Sequence, residues 1–168
     1  MQDVANEIEA VIAKTVPELI AIGEAESGRD PGPGRWSKKE ILGHLVDSAF
    51  NNHQRFVRAQ LVPALVFPGY EQEGWVAAQG YRDRPWDDLV RLWAGINAHL
   101  SHVIARIPPE RLPTLCTIGS GAPVTLEFVA RDYVRHLRHH LAQIFDPAAA
   151  EGKRHAPFAE RPRSPRLC

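Results

Sequence analysis

Cysteine is nearly missing from this chain, with two in 168 residues. A disulfide framework of the kind that staples small secreted domains is therefore not expected. Cys168 is the last residue, Cys116 falls in a loop on this reading, and no thiolate-stabilising pattern surrounds it. Net charge is missing too: Lys plus Arg and Asp plus Glu are 20 each. No overall field then draws the chain to a polyanion or an anionic bilayer, so neither nucleic acid nor membrane is expected as a partner. No apolar run approaches the roughly 20 residues that span a bilayer. The opening MQDVANEIEA has neither the basic nor the apolar part of a secretory signal, and the expected location is the cytoplasm. Strand-like alternation is also lacking, which excludes a sheet protein.

What is present is helical. Apolar residues make up 44% and charged residues 24%, ordinary for a soluble domain, and the length fits one domain. Apolar spacing predicts a first helix over Val4–Ala25, with Pro17 marking a kink or restart capped by Thr15. The segment SGRDPGPG (27–34) forbids helix. Ser37 and Glu40 form a capping-box pattern that opens a second helix running to about Leu61. A long Pro/Gly-rich connection over Pro63–Arg84 carries Trp75 and Tyr81 and either crosses an end of the bundle or covers a site. A third helix opens at Pro85-Trp86-Asp87-Asp88, with acids in the first turn where the helix dipole favours them, and stops at Pro108 and Pro109. A fourth starts at Thr125, a good N-cap, and ends near Phe145. The predicted architecture is an all-α four-helix bundle over residues 1–146, followed by a disordered tail over 147–168.

The fourth helix, TLEFVARDYVRHLRHHLAQIF (125–145), carries the chemistry. At about 100° per residue, His140 falls roughly 40° and His136 roughly 80° from the centre of the apolar stripe, whereas His139 points nearly away. His136 and His140 are one turn apart, so their imidazoles can reach one ion. His44, early in the second helix, could supply a third ligand from a facing helix. It lies in a polar row with Ser48, Asn51 and Arg55, which is either a solvated face or the lining of a pocket around a metal, with Asp47 beside it. His53, His99, His102 and His155 keep a structural reading.

These residues resemble a known family. WSKKEILGHLVDS (36–48) followed by NHQRF (52–56) is similar to the first metal motif of the DinB/YfiT-like superfamily, and HLRHHLAQI (136–144) is similar to its second. The resemblance implies a DinB-like four-helix bundle with up-down-down-up connectivity, frequent homodimerisation, and His44, His136 and His140 as metal ligands. Family members include thiol-dependent S-transferases, a thiol-dependent isomerase and metal-dependent hydrolases.

Three neutral imidazoles leave a divalent cation with an open position, the pattern of catalytic sites. Zinc fits best by ligand type, with nickel or another late first-row metal possible. The leading expectation is a metal-dependent enzyme that activates a low-molecular-weight thiol for S-transfer to a small-molecule substrate. In it, Asp47 acts as base or hydrogen-bond acceptor, Arg55 orients a carboxylate of the thiol, and Ser48 and Asn51 line the cofactor site. Two alternatives stand beside it: a hydrolase using metal-activated water, and a non-catalytic metal-binding stress-response bundle. No Glu adjoins His136 as it would in a zincin, which argues against peptidase activity.

Overall fold

The first helix, α1 (Gln2–Ile22), continues without interruption through the position where Pro17 suggested a kink or restart. Thr15 is buried within it and is not an N-cap, so the restart is corrected. The chain breaks later, at Gly23, whose φ of 74° is easy only for glycine. The short α2 (Glu24–Ser27) follows. The structure, a computed structural model, describes residues 1–146, so the expected disordered tail at 147–168 lies outside the described residues.

Helix α3 (Lys38–Ala59) begins with the capping box read from the sequence. Ser37 N donates to Glu40 Oε2 at 2.8 Å, and Glu40 N donates to Ser37 Oγ at 3.3 Å. This end of α3 is tied to its neighbours by Glu24, which accepts from the buried Lys39 ammonium and, at 2.7 Å, from the Trp86 backbone N–H. Helix α5 (Trp86–Ala105) starts there, and its Trp86 indole donates 2.8 Å to the Leu19 carbonyl of α1. Helix α6 (Leu126–Phe145) opens under Thr125, whose hydroxyl accepts from Phe128 N at 3.1 Å.

Around the bundle α1 packs on α5, α5 on α3, α3 on α6 and α6 on α1. The contacts fix the directions. Ala5, early in α1, accepts a hydrogen bond from Ser101, late in α5, so these two are antiparallel. Asp3 and Glu7 of α1 pair in order with Arg131 and Arg138 of α6, so those two are parallel. On α3 and α6, Phe56 meets Tyr133 while His44 meets His140, which makes that pair antiparallel. The connectivity is up-down-down-up, as the resemblance implied. Its physical consequence is that α3 and α5 run the same way, so the chain between them must return the length of the bundle.

That return occupies the expected loop but is not irregular. It holds β1 (Ala64–Phe67), α4 (Gln72–Gln79) and a 3-10 turn, Tyr81–Asp83. Strand β1 pairs in parallel with β2 (Leu115–Ile118), Leu65 opposite Cys116, and β2 pairs antiparallel with β3 (Val124–Thr125). The expectation of no strands is thus corrected: a three-stranded sheet sits beyond the C-terminal ends of α3 and α5 and leads straight into α6. Cys116 is buried on β2 and not in a loop. Strands of two to four residues are too short to show alternation in sequence.

Candidate metal centre

The polar row of α3 faces inward. His44 is fully buried, and Asp47, Ser48 and Asn51 are nearly so, which decides between solvated face and pocket lining. Antiparallel packing brings α6 opposite, and there His136 and His140 meet His44. One nitrogen from each of the three rings lies within 4.8 Å of the other two. His44 Nε2 and His136 Nε2 are 3.3 Å apart, and the His44 and His140 ring centroids are 4.7 Å apart. No carboxylate belongs to the group.

Each α6 ligand candidate is braced on its far nitrogen. His140 Nδ1 donates 2.8 Å to Gln143 Oε1, and His136 Nδ1 lies 3.4 Å from Ser48 Oγ. Donation from Nδ1 places the lone pair of a neutral His140 on Nε2, and His136 turns its Nε2 toward His44. Gln143 Nε2 in turn donates 3.1 Å to His139 Nε2. His139 is therefore no member of the group, in line with its helix angle, yet it adjoins the group through Gln143. The bracing role of Gln143 was not read from the sequence; its position three residues after His140 on one helix was the available signal.

Burial, with the neighbouring His140 adding to it, drives the His44 pKa from 6.5 down to about 3. Its imidazole is thus neutral and able to coordinate, and its Nδ1 is buried without a hydrogen-bond partner. The donor set fits a late first-row cation. Bonds of about 2.0–2.1 Å in a tetrahedron place neighbouring ligand nitrogens about 3.3 Å apart, the separation already found between His44 and His136.

Asp47 lies one turn beyond His44 and belongs to a different neighbourhood. Its Oδ1 accepts from Tyr81 OH at 2.7 Å and from the Gln79 amide, while Oδ2 is buried with no partner. Burial pushes its carboxyl above the usual range, against the pull of those two hydrogen bonds. Tyr81 reaches it by lying on Gly43, where a Cβ would stand 2.2 Å from the ring. Asp47, Phe50, Trp75, Ala78 and Gln79 line a cleft of about 390 Å³, a size suited to a small molecule. Trp75 of the long connection therefore forms a wall of this cleft, whereas Tyr81 touches it through Asp47.

Two other expected residues are placed elsewhere. Asn51 donates its amide back to the Asp47 carbonyl at 2.9 Å. Arg55 is eleven residues beyond His44, about 16 Å along the helix axis. Its guanidinium contacts Asn52 and the Phe67 ring at the sheet end.

Comparison with known proteins agrees with this architecture. The model of the DinB superfamily matches residues 7–144, and the chain belongs to that superfamily. It is 22% identical over 139 residues to a protein of Oceanobacillus iheyensis named "Putative metal-dependent hydrolase", with 83% of this chain and 80% of the relative covered. YfiT from Bacillus subtilis, whose four-helix bundle topology is described as unusual, superposes with a TM-score of 0.75 at 18% identity, covering 89% of this chain and 86% of YfiT. At that identity the match shows the fold. Among the described residues no helix is long and apolar enough to cross a membrane.

Proposed function

We propose that the chain is a metal-dependent enzyme in which His44, His136 and His140 hold one divalent cation, and that its reaction is hydrolysis of a small molecule. The observation that carries this reading is the convergence of three imidazole nitrogens within 4.8 Å, from one buried and two half-buried histidines, with no carboxylate in the group. A cation held by three neutral imidazoles leaves a coordination position open and lowers the pKa of water or a thiol bound there toward about 7. Zinc fits the donor set, and nickel is the next choice.

The chain's own residues supply the remainder. Ser48 and Gln143 orient two of the rings. Asp47 offers one unpartnered carboxylate oxygen and a raised affinity for protons beside the cleft, which suits it to exchange a proton with substrate. The apolar walls of Phe50 and Trp75 receive the substrate.

Hydrolysis is favoured over thiol S-transfer on two grounds. The relative from Oceanobacillus iheyensis carries a hydrolase name. Arg55, expected to hold a thiol's carboxylate beside the metal, has its backbone about three turns of helix from His44. The test is a panel of small esters and amides assayed with zinc- or nickel-loaded protein, with and without glutathione, mycothiol or bacillithiol and an electrophile. Thiol-independent turnover that chelator abolishes, and that Asp47→Asn reduces about a hundredfold or more with metal retained, supports hydrolysis. Turnover only when thiol is present selects S-transfer. No turnover of either kind leaves a metal-binding bundle without catalysis.

A further inference from the structure

The seam between α3 and α5 brings together three histidines that the proposed metal centre does not use. The two helices pack side by side and run the same way, and His53 and His99 each stand six residues before the last residue of their helix, Ala59 and Ala105. Equal depth on parallel helices puts the two rings at one level. Their centroids are 5.1 Å apart, with the ring planes 39° from one another. His102, one turn beyond His99 on the same side of α5, stacks on it with centroids 6.4 Å apart and planes 20° from parallel. His53 is half-buried, and His99 and His102 are exposed.

This cluster is separate from the centre formed with α6. His53 follows His44 by nine residues, about 14 Å along α3 and about half a turn around it, so its side chain leaves the opposite face of the helix. The spacing is nonetheless that of the centre. There the three pairs of ring centroids are 4.5, 4.7 and 5.2 Å apart, a range that includes the 5.1 Å between His53 and His99. With bonds of about 2.0–2.1 Å an ion lies about 3.2 Å from each centroid, and a 5.1 Å separation then corresponds to about 106° at the ion, close to tetrahedral. His102 is too far from His99 for that angle, but an exposed imidazole changes rotamer within nanoseconds and can swing into a third position. Among the described residues none of the three rings makes a hydrogen bond or an ion pair, so no protein donor occupies their nitrogen lone pairs. Burial, and after it the neighbouring His99, lowers the His53 pKa, which favours the neutral imidazole that coordination requires.

We propose that His53 and His99 form a second, solvent-open cation site across the seam between α3 and α5, taking a late first-row divalent ion, with His102 within reach of a third position and water completing the shell. Imidazole ligation binds copper(II) more strongly than nickel or zinc. With fewer protein ligands than the centre at His44, this is the weaker site: it empties on desalting and fills only when metal is supplied. An ion held there pins α3 to α5, and because the unfolded chain does not hold the two rings together, its binding stabilises the fold. The site shares neither ligands nor a helix face with the centre proposed above, and it does not depend on it.

The test is equilibrium dialysis of zinc into the chelator-treated full chain near neutral pH, for wild type, His53→Gln, His99→Gln and His136→Ala. Wild type should take up a second, weaker equivalent beyond the first. His53→Gln and His99→Gln should each weaken that second equivalent at least about tenfold and leave the first unchanged. His136→Ala should lose the tight equivalent and keep the weak one, so failure of the metal centre and failure of this site are read separately. Nitrogen-15 NMR of the imidazoles places the ion: the second equivalent should move the His53 and His99 signals, each assigned by its loss in the corresponding variant. A wild type that binds no weaker equivalent overturns the proposal. So does a weaker equivalent that survives unchanged in both His53→Gln and His99→Gln, since other surface groups then hold it.

Discussion

Removing metal should make the bundle acid-sensitive in a window set by one residue, His44. It is fully buried, and its pKa falls from 6.5 to about 3 on folding. Below pH 6.5 the unfolded chain takes up a proton that the folded chain refuses. The stabilisation is thus complete above pH 6.5 and is lost as pH falls toward about 3. One proton corresponds to about 1.4 kcal/mol per pH unit, so the loss by pH 5 is on the order of 2 kcal/mol. That is a large share of the about 5–15 kcal/mol that holds a typical domain together. His53, lowered by burial and by His99, acts with the same sign. Asp47 opposes both, because its folded pKa is raised and its contribution grows as pH falls. Urea titrations of chelator-treated protein at pH 7, 6 and 5, on wild type and His44→Gln, isolate the His44 part. Wild type should lose stability faster than the variant by about 1 kcal/mol per pH unit. Parallel pH dependence in the two proteins would refute the assignment of the acid sensitivity to His44.

Two further substitutions probe the supports of the site. Gly43→Ala drives a methyl group into the Tyr81 ring; it should cost about 1–3 kcal/mol by urea titration and release Tyr81 from Asp47. Gln143→Leu removes the acceptor of His140 Nδ1, and zinc affinity measured against a chromophoric chelator should fall about 10–100-fold while the far-ultraviolet circular dichroism stays unchanged.

Much of the bundle was legible because helix signals are local. The Ser37–Glu40 box and the Thr125 cap each satisfy backbone donors within three residues, so sequence alone locates them. The inward turn of His136 and His140 followed from helix periodicity, and their meeting with His44 became visible when two motifs matched a family pattern in order. What was not legible depends on distant partners. Pro17 looked like a break, yet α1 continues through it, and the actual break came at a glycine whose φ only the folded chain reveals. Strands β1 and β2 are held by pairing across fifty residues of chain and carry no periodic signature of their own. Arg55 shared a helical row with His44, but row membership gives direction and not depth, and the residue is engaged at the sheet end.

The most direct measurement is elemental analysis of freshly purified protein for wild type, His44→Ala, His136→Ala, His140→Ala and His139→Ala. One equivalent of zinc or nickel per chain should be found in wild type and in His139→Ala, and stoichiometric metal should be lost from each of the other three. Full occupancy in folded His136→Ala would contradict the proposed centre.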